Sequence, residues 1–84
     1  MNIKIYSTPN CAYCKMAKEF FTENNYQVQE FNVILDVKAR EEMVQKSNQM
    51  GVPVIDIDGE IFVGFNRAAL KEALKLKWAS PQGT

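Results

Sequence analysis

The stretch Tyr6-Ser7-Thr8-Pro9-Asn10-Cys11-Ala12-Tyr13-Cys14-Lys15 decides the fold. Residues 2–7 alternate, with Ile3 and Ile5 on one side and Lys4 and Tyr6 on the other, the pattern of a strand. Ser7-Thr8-Pro9-Asn10 breaks the alternation and turns the chain. From Cys11 to about Asn24 the residues Cys14, Ala17, Phe20 and Phe21 recur at three- and four-residue steps, with Lys15, Lys18, Glu19 and Glu23 on the opposite side. A strand therefore runs through a short loop into a helix, and the first turn of that helix carries both cysteines.

Outward from this unit, Asn24-Asn25 favours a turn, and Tyr26 to Val33 reads as a second strand, with Tyr26, Val28 and Glu30 alternating with Gln27, Gln29 and Phe31. Asp36 can cap a helix to about Gln49, with a weak apolar stripe of Ala39, Met43, Val44, Ser47 and Met50, and Gly51 is the expected stop. Val52 to Ile57 is β-branched apart from Pro53 and Asp56. Asp58-Gly59 is a strong hairpin signal, and Ile61-Phe62-Val63 resumes the run. Asn66 can cap a last helix with Leu70, Ala73, Leu74 and Trp78 facing inward, and residues 78–84 read as a C-terminal tail, loose from Ser80 onward.

The order β-α-β-α-β-β-α predicts an α/β fold, a four-stranded mixed sheet flanked by three helices. Its first two strands are joined by a helical crossover and so should be parallel; its last two should form an antiparallel hairpin. With 84 residues, 46% of them hydrophobic, the chain suits one domain spanning residues 1–84. Ten basic side chains balance ten acidic ones and histidine is absent, which argues against nucleic acid or an anionic membrane as partner. The opening Met1-Asn2-Ile3-Lys4-Ile5-Tyr6 lacks the apolar stretch of a signal peptide, and no run approaches the length of a membrane span, so a cytoplasmic location is expected. In that reducing compartment two cysteines point to reactivity or metal binding rather than to a permanent staple.

Two cysteines three apart on a helix share one face and can close into a disulfide without refolding. Unpaired N–H groups and the positive end of the helix dipole favour a thiolate at Cys11, while Cys14 lies a turn deeper. Cys11 is then the attacking sulfur and Cys14 the resolving one. Lys15 and Lys18 either add positive potential or are ordinary solvated helix residues. Two other readings stand beside the redox one: a pair of small core residues, and half of a metal site. The strand-loop-helix setting of C-x-x-C favours redox chemistry, and two thiols without an imidazole do not complete a zinc site.

Over roughly residues 2–78 the sequence resembles the glutaredoxin family, through Tyr6 to Lys15, Gly51-Val52-Pro53 and Asp58-Gly59. The resemblance implies a thioredoxin-like fold, thiol–disulfide oxidoreductase activity without a metal or organic cofactor, and a monomer acting on protein disulfides or glutathione mixed disulfides. It places Pro53 in the cis form beside Cys11, with the Val52 backbone pairing with substrate. From the sequence alone Pro53 is equally a strand-start or edge-strand proline. Thr8 stands where family members commonly carry lysine, Gly51 where they carry threonine, and Gly64-Phe65-Asn66-Arg67 where they carry Gly-Gly and then aspartate. Several glutathione contacts are thereby altered. The Gly64-Phe65 pairing is similar to the glutaredoxin-like redoxins that serve ribonucleotide reductase and take electrons from thioredoxin reductase, so glutathione and thioredoxin reductase are both carried as donors.

By the same resemblance, Tyr13 shields the thiol and packs along the substrate, Thr8 and Asn66 occupy substrate-contact positions, Phe65 forms an apolar wall of the groove, and Arg67 pairs with a carboxylate. Read as residues alone, Tyr13 is a surface aromatic, Phe65 a core residue and Arg67 a first-turn surface arginine. Ala12 replaces a proline common in the family, and glutaredoxins lacking that proline include dimers that share an iron–sulfur cluster. A cluster-binding dimer is therefore the alternative function.

Overall fold

The computed structural model describes residues 2–82, with side chains through Lys75. Along the chain it forms β1 (Ile3–Ser7), α1 (Ala12–Glu23), β2 (Gln29–Asn32), α2 (Val37–Ser47), β3 (Val54–Ile57), β4 (Glu60–Val63) and α3 (Arg67–Gln82). The four strands make one sheet in the order β2-β1-β3-β4. β1 and β2 are parallel, with Ile5 opposite Glu30. β3 is antiparallel to both β1 and β4. This is the predicted α/β architecture.

Alternation along β1 and β3 splits the apolar side chains between two layers. Ile3, Ile5, Ile55 and Ile57 meet Ala17, Phe20 and Phe21 of α1 and Leu70, Ala73 and Leu74 of α3, and Tyr26, Val28, Phe62 and Phe65 pack against that cluster. On the other face Tyr6 and Val54 meet Ala39 and Met43 of α2, with Val33 buried beside them. Both faces are covered, so the residues of β3 are buried without interruption, Asp56 included.

Local chemistry sets the ends of the elements. The Asp36 carboxylate accepts from the N–H of Ala39 at 3.0 Å, and the Asn66 side chain accepts from the N–H of Ala69 at 3.0 Å, so both expected caps form. Asp58 and Gly59 take φ of 50° and 96°, the left-handed pair that a two-residue hairpin turn requires. α2 stops earlier than predicted. Asn48 adopts the left-handed conformation at φ 59° and ends the helix three residues before Gly51, since asparagine tolerates that conformation and there was no need to wait for the glycine. Met50 consequently leaves the helical stripe and is exposed.

β2 is also shorter than the predicted Tyr26–Val33. Tyr26 and Val28 reach the core from non-strand backbone, and regular pairing with β1 begins at Gln29. Residues 78–82, expected as tail, continue α3, which fits the absence of any glycine between Gly64 and Gly83 that could close the helix earlier. Trp78, expected to face inward, lies outside the described side chains.

Candidate active site

β1, an inner strand of the sheet, ends at Ser7, and the Thr8–Asn10 loop returns the chain into α1. The Cys11 N–H donates to the Thr8 carbonyl at 3.4 Å, and the Cys11 carbonyl accepts from the Lys15 N–H at 3.2 Å as the first bond of the helix. Cys11 is the N-cap residue, with extended backbone at φ −100° and ψ 110°. Its sulfur takes the place of the usual capping oxygen, accepting the Cys14 N–H at 3.1 Å. A sulfur in this position receives a backbone donor and the positive end of the helix dipole together, and both favour the thiolate over the thiol.

Cys11 and Cys14 are joined as a disulfide, with Cα atoms 5.2 Å apart. The two sulfurs differ in access: Cys11 is half-buried, whereas Cys14 is only 2% exposed and packed beneath it. Of the two sulfurs, Cys11 is therefore the more accessible. Cys14 is bonded to the Cys11 sulfur from a buried position, an arrangement that suits an intramolecular step.

A cleft of about 190 Å³ opens on the pair, lined by Thr8, Pro9, Cys11, Cys14, Lys15, Lys18 and Glu30. Thr8, expected at a substrate-contact position, is thus beside the cysteines. Glu30 and Ser7 are site residues that the sequence reading did not pick out. The Glu30 carboxylate accepts from the Ser7 hydroxyl at 2.8 Å and from the Lys18 ammonium at 3.1 Å. Burial pushes the Glu30 carboxyl up, but the bonds from Ser7 and Lys18 outweigh it and hold the group below its ordinary value. One sequence signal did exist: Glu30 places an acid in line with Tyr26 and Val28, both of which pack toward α1.

The other expected residues do not line this cleft. Tyr13 follows in the first turn of α1 and is 61% exposed, so its ring is open to a partner. The Val52–Pro53 peptide bond is cis, the isomer that the family resemblance implies. Pro53 is buried and its carbonyl accepts the Gly64 N–H at 2.7 Å, while Val52 packs half-buried toward the α2 side of the sheet. Among the described residues the Val52 backbone takes up no hydrogen bond.

Phe65 and Arg67 line a separate groove with Met16, Glu19, Phe20 and Glu23. There Phe65 meets Phe20 edge-on at 6.0 Å, and the Arg67 guanidinium lies 5.6 Å from the Phe20 ring centre. Phe65 is thus a half-buried core residue that also forms a groove wall, and the Arg67 guanidinium lies over an aromatic face in the same groove. The Asn66 side chain is engaged as the cap of α3.

Residues 3–63 match the glutaredoxin family model. An uncharacterized glutaredoxin-like 8.6 kDa protein in the rubredoxin operon of Clostridium pasteurianum is 51% identical over 73 residues, which cover 87% of this chain and 97% of that one. The glutaredoxin-like protein NrdH of Lactococcus lactis is 34% identical over 71 residues, covering 81% of this chain and 93% of that one. Among solved structures, the thioredoxin-like protein BC3987 superposes with a TM-score of 0.80 at 34% identity, covering 84% of this chain and 97% of that one. The matched span contains both cysteines, the cis proline and the hairpin, and the chain belongs to the glutaredoxin family of thiol–disulfide oxidoreductases.

Proposed function

We propose that this protein reduces protein disulfides through a Cys11/Cys14 dithiol cycle in the cytoplasm, and that a thioredoxin reductase rather than glutathione returns its electrons. The observation that carries the cycle is the unequal access of two bonded sulfurs at one helix end, with Cys11 open and capping and Cys14 buried. The Cys11 thiolate attacks one sulfur of the substrate, forming a mixed disulfide and expelling the other substrate sulfur as a thiolate. Cys14 then loses its proton to solvent and attacks the Cys11 sulfur. The Cys11–Cys14 bond forms, the second substrate sulfur leaves as a thiolate, and two electrons have passed from protein to substrate.

The N–H and C=O of Val52, which take up no hydrogen bond among the described residues, suit pairing with an extended substrate chain, and the exposed Tyr13 ring offers that chain an apolar contact. Two observations support the choice of donor. Thr8, Gly51 and Gly64-Phe65-Asn66-Arg67 depart from the pattern associated with glutathione, and the Lactococcus relative bears the name NrdH. Ribonucleotide reductase is the first protein disulfide to try as substrate.

The test supplies NADPH with thioredoxin reductase in one reaction, and NADPH with glutathione and glutathione reductase in another, and follows NADPH consumption as the oxidised protein reduces a protein disulfide. Turnover with thioredoxin reductase alone is expected. Faster turnover with the glutathione system would overturn the donor assignment, and no turnover with either would overturn the function.

A further inference from the structure

The charge around the sulfur pair is arranged, not merely present. The groups lining the cleft that can carry charge are Lys15 and Lys18 from α1, Glu30 from β2 and the two sulfurs; Thr8 and Pro9 add none. Lys15 is exposed, so solvent and salt screen it. Lys18 differs in restraint rather than in access: its side chain is 39% exposed and that of Glu30 40%, yet its ammonium is held 3.1 Å from the Glu30 carboxylate, which the Ser7 hydroxyl also holds at 2.8 Å. Glu30 stays ionised near neutrality because these two bonds outweigh the effect of burial, and it therefore acts as a fixed negative charge and not as a proton carrier.

Reduction of the disulfide creates a second anion in the same cleft, the Cys11 thiolate. Two anions then face one restrained ammonium. We propose that Glu30 is a positioning residue that competes with the Cys11 thiolate for the Lys18 ammonium, tempering the acidity that the helix end confers on that sulfur. The proposal rests on the redox reading above and names the charges that set its working pH. Removing the carboxylate takes away a repelling charge and releases Lys18 to the thiolate. Removing the ammonium leaves the thiolate facing an unneutralised carboxylate.

The test is the pH dependence of alkylation of the reduced, full-length protein by iodoacetamide, a neutral reagent whose approach is not steered by charge. Wild type, Glu30→Gln, Lys18→Gln and the double variant are compared at low and high salt. The wild-type midpoint is expected below about 7.5, as for a thiol at a helix N-terminus. Glu30→Gln should lower it and Lys18→Gln raise it, each by about half a pH unit, with the double variant close to wild type and the shifts smaller in high salt. A thiol buffer equilibrium read at neutral pH should move toward the dithiol form in Glu30→Gln. A pair that only braces β2 against α1 would give no shift, or shifts of one sign, and either result overturns the proposal while leaving an acidic wild-type thiol intact. An unperturbed wild-type midpoint near 8.5 would instead overturn the redox reading, and this inference with it.

Discussion

Replacing Lys46 by methionine removes the cation at the centre of a polar cluster on the α2 face of the sheet. The Lys46 ammonium donates to Asp56 Oδ2 at 2.6 Å and to the Tyr6 hydroxyl at 3.0 Å, and lies 3.5 Å from Glu42 Oε1. The Tyr6 hydroxyl in turn donates to Glu42. The Asp56 side chain is only 10% exposed and that of Lys46 27%, so methionine leaves a carboxylate in the sheet interior without its counter-charge. Deleting one partner of a fully buried pair costs about 3–5 kcal/mol. Here Asp56 keeps the Gly59 N–H, donated to its Oδ1 at 2.7 Å, and Lys46 is partly open to water, so a loss of about 2 kcal/mol is expected. For a domain of this size that lowers Tm by roughly 10 °C.

The pH dependence follows from the same contacts. Burial pushes the Asp56 carboxyl up, but Lys46 and the Gly59 N–H hold it below its ordinary 3.8. Its contribution is therefore present above about pH 4 and is lost as pH falls through the lowered folded value. Burial pushes Lys46 down, and its bonds to Asp56 and Tyr6 outweigh this and hold it above its ordinary 10.5, so its contribution is intact below 10.5 and is lost only as pH rises through the raised value. Urea unfolding of the oxidised protein, followed by far-UV circular dichroism, should show a difference between wild type and Lys46→Met that is constant from roughly pH 5 to 9 and shrinks toward pH 3. Adding Asp56→Asn should reduce the cost of Lys46→Met, because the stranded charge is gone. A difference below about 0.5 kcal/mol at pH 7, or one that persists unchanged at pH 3, would refute the reasoning.

Asn66→Ala should destabilise the protein by about 1 kcal/mol in the same assay, since the Ala69 N–H loses its capping partner. Gly59→Ala should cost about 1 kcal/mol from backbone strain alone, because the new methyl group meets nothing within 4 Å while φ is +96°; an unchanged midpoint would contradict the turn assignment. Ile55→Ala, at a fully buried position under α1 and α3, should cost about 3 kcal/mol by urea unfolding.

What the sequence disclosed was local chemistry. The Cys11/Cys14 spacing, the Asp58-Gly59 turn and the Asp36 and Asn66 caps each involve residues within three positions of one another, and each acts as its side-chain chemistry dictates. Pro53 needed more than its own chemistry, since strand-start and cis placements were equally open until the family resemblance favoured one. The features that stayed hidden depend on chain returns. Tyr6, Lys46 and Asp56 meet only when α2 packs over β1 and β3, and Glu30 reaches the cysteine cleft only through the parallel register that sets Ile5 opposite it. Phe65 and Arg67, placed in the substrate groove by analogy, line a groove with Phe20, and that groove shares no lining residue with the cysteine cleft. Asn48 shows the limit of punctuation rules: glycine was the obvious stop, and a nearer asparagine served.

The central claim is that Cys11 attacks and Cys14 resolves. Intact-mass spectrometry after a brief exposure of reduced protein to a disulfide-containing peptide tests it most directly. Cys14→Ser should accumulate a peptide adduct mapped to Cys11, Cys11→Ser should remain unmodified, and wild type should pass to the intramolecular disulfide with the peptide released. An adduct on Cys14 in the Cys11→Ser variant, formed as fast as the one on Cys11, would contradict the account.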